Sequence, residues 1–142
     1  MNKTIAAALA AATLLPAAAS AADLTPVDLV NRHMAAAAKG DVDAIVADYA
    51  DDAVAITAGN ATQGKAALHA MFAGMLGGGG NANGPKPVFK NLKVWQQGDV
   101  GFVTWEMNSG APNAVRGTDA FLVKNGKIQV QSVFIGGQQP TP

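Results

Sequence analysis

The chain changes its hydrophobic period once, and that change limits the folds open to it. Helical spacing dominates the first half. From "VFKNLKVWQ" onward apolar residues alternate instead, and three more strand-like runs follow: "VGFVTWEMNS", "VRGTDAFLV" and "KIQVQSVFI". The breaks between them are Gln97-Gly98-Asp99, Gly110-Ala111-Pro112-Asn113 and Asn125-Gly126. Connections this short leave no room for a crossover, so neighbouring strands run antiparallel. Helices first and a meander afterwards is an α+β layout, with helices packed on one face of a bent sheet. A curved sheet closed by helices encloses one pocket, where ligands tend to bind.

The first half supplies those helices. Thr25 is a fitting N-cap, with Pro26 at the first helical position and Asp28 in the first turn; the helix runs to about Lys39 and stops at Gly40. Its apolar stripe includes Leu29, Val30, Met34 and Ala37. Asp41 caps a second helix, "VDAIVADYA", ending near Asp51. "AVAIT" is a short strand, "AGNATQG" a turn region, and Gly64 opens a third helix, "KAALHAMFAGML". Residues 77–87, "GGGGNANGPKP", form a loop by composition, either a plain connection or a lip over a site.

The N-terminus has a different character. Lys3 precedes the apolar run Thr4 to Leu15, and Ala19-Ser20-Ala21 is a small-residue cleavage site. This is the pattern of a secretory signal peptide over residues 1–21, leaving 22–142 as a single exported domain, periplasmic or secreted. The run falls short of the about 20 apolar residues needed to cross a bilayer. There is no cysteine, so the domain does without disulfides. Without Lys3, the remaining Lys and Arg fall one short of the ten Asp and Glu. Near neutrality, with no basic block, argues against nucleic acid as a partner, and no basic amphipathic helix suggests a membrane surface.

Few residues can carry chemistry. A nucleophile elbow, a phosphate-cradling loop and a dinucleotide fingerprint are all missing. His33 and His69 stand in no metal-ligand spacing. Asp48, Asp51 and Asp52 lack the calcium-loop pattern and read as capping and solvating the end of the second helix. Asp119 is the exception. Alternation puts it in line with Phe121 and Val123 on a strand that is apolar on both faces. A carboxyl facing an apolar pocket has a raised pKa, because desolvation disfavours its charged form. A protonated carboxyl can donate a hydrogen bond to a developing oxyanion. Pairing with Arg116 is the structural alternative. His33 lies beside the buried stripe of the first helix, as a packed histidine or a site residue. Trp105 shares a face with Val103 and Met107.

The segments "GDVDAIVADYADDAVAI", "QGKAALHAMFAGMLGGGG" and "TDAFLVKNGKIQVQSV" together resemble the ketosteroid isomerases and their SnoaL-like relatives in the nuclear transport factor 2-like superfamily, over about Val27 to Ile135. The resemblance implies a cone-shaped fold, three N-terminal helices packed on a strongly curved antiparallel sheet, usually a homodimer through that sheet. It puts Asp119 at the isomerases' protonated oxyanion donor and His33 at their tyrosine donor. Tyr49 matches a supporting tyrosine of the pocket. Thr57 takes the place of the general-base aspartate, and a threonine hydroxyl cannot shuttle a proton near neutral pH. Val133 takes the place of an acid found in some SnoaL-like relatives. Phe72, Trp105, Phe121 and Ile135 are the expected apolar walls.

Three readings follow from this. One is an isomerase, lyase or hydratase that needs no cofactor and acts on a small hydrophobic carbonyl or phenolic compound. In it His33 is acid or base, with His69 as a further base if its helix face points inward, and Asp119 stabilises an oxyanion. The second is a non-catalytic binding protein for such a molecule, favoured by Thr57. The third is an interaction domain, using a sheet face on which Ile128, Val130 and Phe134 stand opposite Gln129, Gln131 and Val133.

Overall fold

A computed structural model describes residues 24–77 and 88–136. The expected signal peptide and nearly all of the glycine-rich loop lie outside those residues. In chain order the elements are α1 (Pro26–Lys39), α2 (Val42–Ala47), β1 (Tyr49–Thr57), β2 (Asn60–Gln63), α3 (Lys65–Leu76), β3 (Phe89–Gln97), β4 (Val100–Met107), β5 (Val115–Lys124) and β6 (Lys127–Gly136).

The caps that delimit α1 are local chemistry. The Thr25 hydroxyl accepts from the Asp28 N–H, and the Asp28 carboxylate accepts from the Thr25 N–H, a reciprocal capping box. At the other end Gly40 adopts φ 69°, and its N–H closes on the last carbonyls of the helix. Asp41 caps α2 through the Ala44 N–H.

The second helix is shorter than its pattern suggests. It stops at Ala47, because Tyr49 already belongs to β1 and pairs with Ile128. Tertiary pairing and full burial of the Tyr49 ring override the local helical spacing. The expected turn region also holds a strand. Ala58 and Gly59 both take positive φ, the two-residue hairpin geometry, and Asn60–Gln63 folds back along β1 as β2.

The six strands lie in the order β2-β1-β6-β5-β4-β3. The meander β3 to β6 is antiparallel throughout, as its short turns require. Among the described residues the one parallel pairing joins β1 to β6, so the sheet is mixed. Register shifts interrupt β1, the β3–β4 pair and the β5–β6 pair, and such bulges bend a sheet. The bulge in β6 changes the expected faces. Val123 pairs with Ile128 and Leu122 with Val130, leaving Gln129 as the extra residue. Ile128 therefore turns inward with Gln131, away from Val130 and Phe134.

All three helices cover the inner face. α1 lies over β3, β4 and β5, while α3 lies over β1 and β2. The core between them contains Leu29, Val30, Ile45, Tyr49, Leu68, Val103, Phe121 and Ile128, all fully buried. Gly101 sets how closely α1 approaches. A Cβ there would meet Val30 Cγ2 at 2.7 Å and the Pro26 carbonyl oxygen at 3.1 Å. Gly101→Ala is therefore expected to push α1 off β4 and lower stability by about 1–3 kcal/mol, measured by urea denaturation; an unchanged midpoint would show that the helix can yield without loss.

Candidate functional site

A cavity of about 340 Å³ opens between the helices and the concave face of the sheet. Most of its wall is apolar: Met34 and Ala37 from α1, Phe72 from α3, Phe89 from β3, and Val133 and Ile135 from β6. All four methionines after the initiator, Met34, Met71, Met75 and Met107, line it. Their thioethers are polarisable and unbranched, and they adapt to irregular or aromatic ligands. Polar groups interrupt this wall at few places: His33, Thr57, Asn108, Asp119 and Gln131.

Asp119 is placed by strand alternation, on the inner face with Phe121 and Val123, and it is 4% exposed. Its carboxylate is held from both sides. Trp105 Nε1 donates to Oδ1 at 2.9 Å, and Gln131 Nε2 donates to Oδ2 at 2.9 Å. The Tyr49 hydroxyl in turn donates to Gln131 Oε1. Gly117 makes the first contact possible. It sits opposite Trp105 on the neighbouring strand, and a Cβ there would fall 2.2 Å from Trp105 Cζ2. The indole crosses this bare backbone to reach Asp119. Arg116 is elsewhere, pairing with Glu106 at 2.8 Å on the other face.

Burial pushes the Asp119 pKa up to about 6, against the opposing pull of the Trp105 and Gln131 hydrogen bonds. The group is therefore mostly ionised at neutral pH. The resemblance to the isomerases implies a protonated donor toward a ligand; toward Trp105 and Gln131 Asp119 is an acceptor. An indole N–H can only donate, and the amide is turned to donate as well, so Asp119 accepts twice.

His33 faces the same cavity from α1, 2% exposed. Its ring meets Phe121, Tyr49 and Phe72 edge to face, with centroids 5.3, 5.5 and 6.0 Å away. Burial, reinforced by neighbouring Arg32, pushes its pKa down to about 4, so the imidazole is neutral in ordinary buffers. The structure thus brings His33, Thr57, Phe72, Trp105, Asp119 and Ile135 to one cavity. Tyr49 and Phe121, expected as lining residues, instead stand fully buried behind the wall, where they support Gln131 and His33. His69 is turned outward to Asp43, Nε2 to Oδ1 3.1 Å, and is no candidate base.

A family model for the SnoaL-like domain matches residues 30–131. The chain belongs to the SnoaL-like domain family. No functionally curated protein matches this SnoaL-like domain. Solved structures do. A protein of the NTF2-like class from Burkholderia xenovorans LB400, of unknown function, is 20% identical, with 81% of this chain and 85% of that one aligned at a TM-score of 0.65. One from Sinorhizobium meliloti, provisionally named a polyketide cyclase, is 26% identical over 80% of this chain and 97% of its own, TM-score 0.63. Another from Kribbella flavida, provisionally named a ketosteroid isomerase, is 13% identical over 80% and 79%, TM-score 0.64. They share the cone-like fold of helices on a curved sheet.

Several residues of this SnoaL-like site were not singled out in the sequence. Alternation puts Gln131 opposite the outer Val130 and Phe134, as found, but nothing in the sequence marks it as a partner of Asp119. Asp48, in sequence a solvated cap, is buried beside His33 and bound by Arg32, Nε to Oδ1 2.8 Å. The methionines did carry a signal, since Met71 and Met75 are four residues apart on one face of α3. Among the described residues no cluster of three or more metal-ligating side chains occurs, and no helix is long and apolar enough to cross a membrane.

Asp119 titrates at a higher pH in the folded protein than at its ordinary 3.8. An acid with a raised folded pKa contributes fully below its unfolded pKa, and that contribution is lost as pH rises through the folded value. Relative to Asp119→Asn, the wild type is expected to lose about 2 kcal/mol between pH 4 and 6. Urea denaturation across that range measures it; parallel profiles would mean that the carboxyl is not desolvated.

Proposed function

We propose that this is an exported SnoaL-like domain that takes up a small, mostly apolar carbonyl or phenolic compound and acts on it by proton transfer, without a cofactor. The reaction is of the isomerase, lyase or hydratase kind. One observation carries this reading: a carboxylate held near pKa 6 lines an apolar cavity that it shares with a neutral imidazole. A general base works best when its pKa lies near the working pH. Asp119 would take a proton from the carbon beside a carbonyl or from a hydroxyl. Trp105 and Gln131 keep that carboxylate fixed and oriented while it does so. His33 would exchange a hydrogen bond with the ligand oxygen. The provisional names of two structural neighbours, polyketide cyclase and ketosteroid isomerase, agree with this class.

A second reading is supported by Thr57. It lines the cavity in the position where the isomerases carry their base, and a non-catalytic binding domain has no need of one. Self-association finds support in Leu92 and Phe134, exposed beside Thr104, Arg116 and Thr118 on the outer face of the sheet. Export rests on Lys3, the Thr4–Leu15 run and Ala19-Ser20-Ala21. Mass spectrometry of the protein from the natural host is expected to find Ala22 at the N-terminus outside the cytoplasm; an intact Met1 form in the cytoplasm alone would remove that part.

The functional test uses residues 22–142, tryptophan fluorescence, and a panel of phenols, steroids and small ketones. Phenol binding should weaken about ten-fold or more in both Asp119→Ala and His33→Ala. Bound ketones should exchange their α-protons with deuterated solvent in the wild type and not in Asp119→Ala. Binding without exchange selects the non-catalytic reading. Binding indifferent to both substitutions would show that Asp119 only braces the sheet.

A further inference from the structure

Among the described residues, two buried side-chain atoms lack a hydrogen-bond partner, and they belong to neighbours. One is His33 Nδ1 and the other Asp48 Oδ2, 3.7 Å apart. Asp48 cannot turn away. Its Oδ1 takes the Arg32 guanidinium, from Nε at 2.8 Å and from a terminal nitrogen at 2.6 Å. Its backbone is tied too: the N–H donates to the Ile45 carbonyl, and the carbonyl accepts from the Ile128 N–H at 2.9 Å. His33 is enclosed by three aromatic rings.

Two orphaned polar atoms in so closed a place are costly unless they pair with each other. At 3.7 Å the gap is too short for a bridging water with ordinary lengths and angles, and a movement of under about 1 Å brings the atoms to normal hydrogen-bond distance. Burial raises the Asp48 pKa and the bound Arg32 guanidinium opposes that rise; with Asp48 ionised against Arg32, the direction of the bond is fixed by chemistry. An ionised carboxylate only accepts, and a neutral imidazole carries a single N–H.

We infer that Asp48 is a positioning residue that holds the His33 proton on Nδ1, so that Nε2 offers a lone pair to the cavity and the ligand group meeting it is a hydroxyl. This rests on the reading of the cavity as a small-molecule site, and it narrows the substrate class. A ketone oxygen has no proton to give, and it would face two acceptors, Nε2 and the Asp119 carboxylate. A phenol or an enol can donate to one of them. Within the carbonyl and phenolic classes, the site is thus built for the hydroxyl-bearing form.

The first test is the tautomer of His33 in the unliganded protein at neutral pH, read from long-range nitrogen–proton correlations of 15N-histidine-labelled chain. The proton is expected on Nδ1. Asp48→Ala should shift the population toward Nε2–H, and Asp48→Asn, which keeps an acceptor oxygen, should restore Nδ1–H. A wild-type imidazole protonated on Nε2 overturns the inference, even if Asp48→Ala fails to fold. The second test compares 1-naphthol with naphthalene and 1-methoxynaphthalene. Wild type should prefer the naphthol about ten-fold, one hydrogen bond's worth, and His33→Phe should lose that preference. If the preference survives His33→Phe but is lost in Asp119→Ala, this inference fails while the proposed function stands. Indifference to both substitutions removes both.

Discussion

A buried carboxylate on β5 is the constraint around which the sheet is arranged. Asp119 cannot lie under the helices alone, so it draws donors from the strands on either side. Trp105 comes from β4 and Gln131 from β6, and Gln131 is itself held by Tyr49 from β1. The chain of contacts visits the strands in their spatial order, β4, β5, β6, β1. Each of the first two links is a diagonal. Trp105 stands opposite Gly117, two residues before Asp119, and Gln131 stands opposite Phe121, two residues after it. Diagonal neighbours on one face are within reach of long side chains, and these use that reach. Gly117 is part of the same arrangement, since any side chain there would occupy the place of the indole.

The network explains why the cavity can be both apolar and chemically capable. Neutral donors stabilise the charge without cancelling it, so Asp119 stays in the range where it can gain and lose a proton. An arginine in the same place would have held it far lower. On the opposite wall His33 is deprived of solvent, and its charged form is disfavoured. The same cause, burial, raises one titratable group and lowers the other, so that their ordinary order in pKa is reversed. Between them the methionine wall supplies apolar surface without a rigid shape.

The sequence made the fold legible because its signals there are local. The Thr25 capping box, the Gly40 stop and the turns at Gly98-Asp99 and Asn125-Gly126 each depend on a few adjacent residues. Alternation on β5 was equally local, and it identified Asp119 as inward-facing. The errors arose where distant segments meet. α2 was read too long because nothing near Tyr49 announces a parallel partner in β6. β2 was hidden because a four-residue edge strand of Asn, Ala, Thr and Gln has no apolar pattern. Ile128 turns inward, against its alternation with Val130 and Phe134, because the one bulged residue between Ile128 and Val130 inverts the pattern.

What the sequence determined by itself was the order of elements, the antiparallel meander, the inward place of Asp119 and the family resemblance, all properties of spacing along the chain. Tertiary structure decided the rest. It made Asp119 the acceptor of the Trp105 and Gln131 N–H groups, because that depends on which groups the neighbouring strands present. It also brought His33 Nδ1 within 3.7 Å of Asp48 Oδ2, although α1 and the end of α2 share no pattern. Protonation and tautomer are set by burial and by the nearest partners in space, and neither quantity is written in the order of residues.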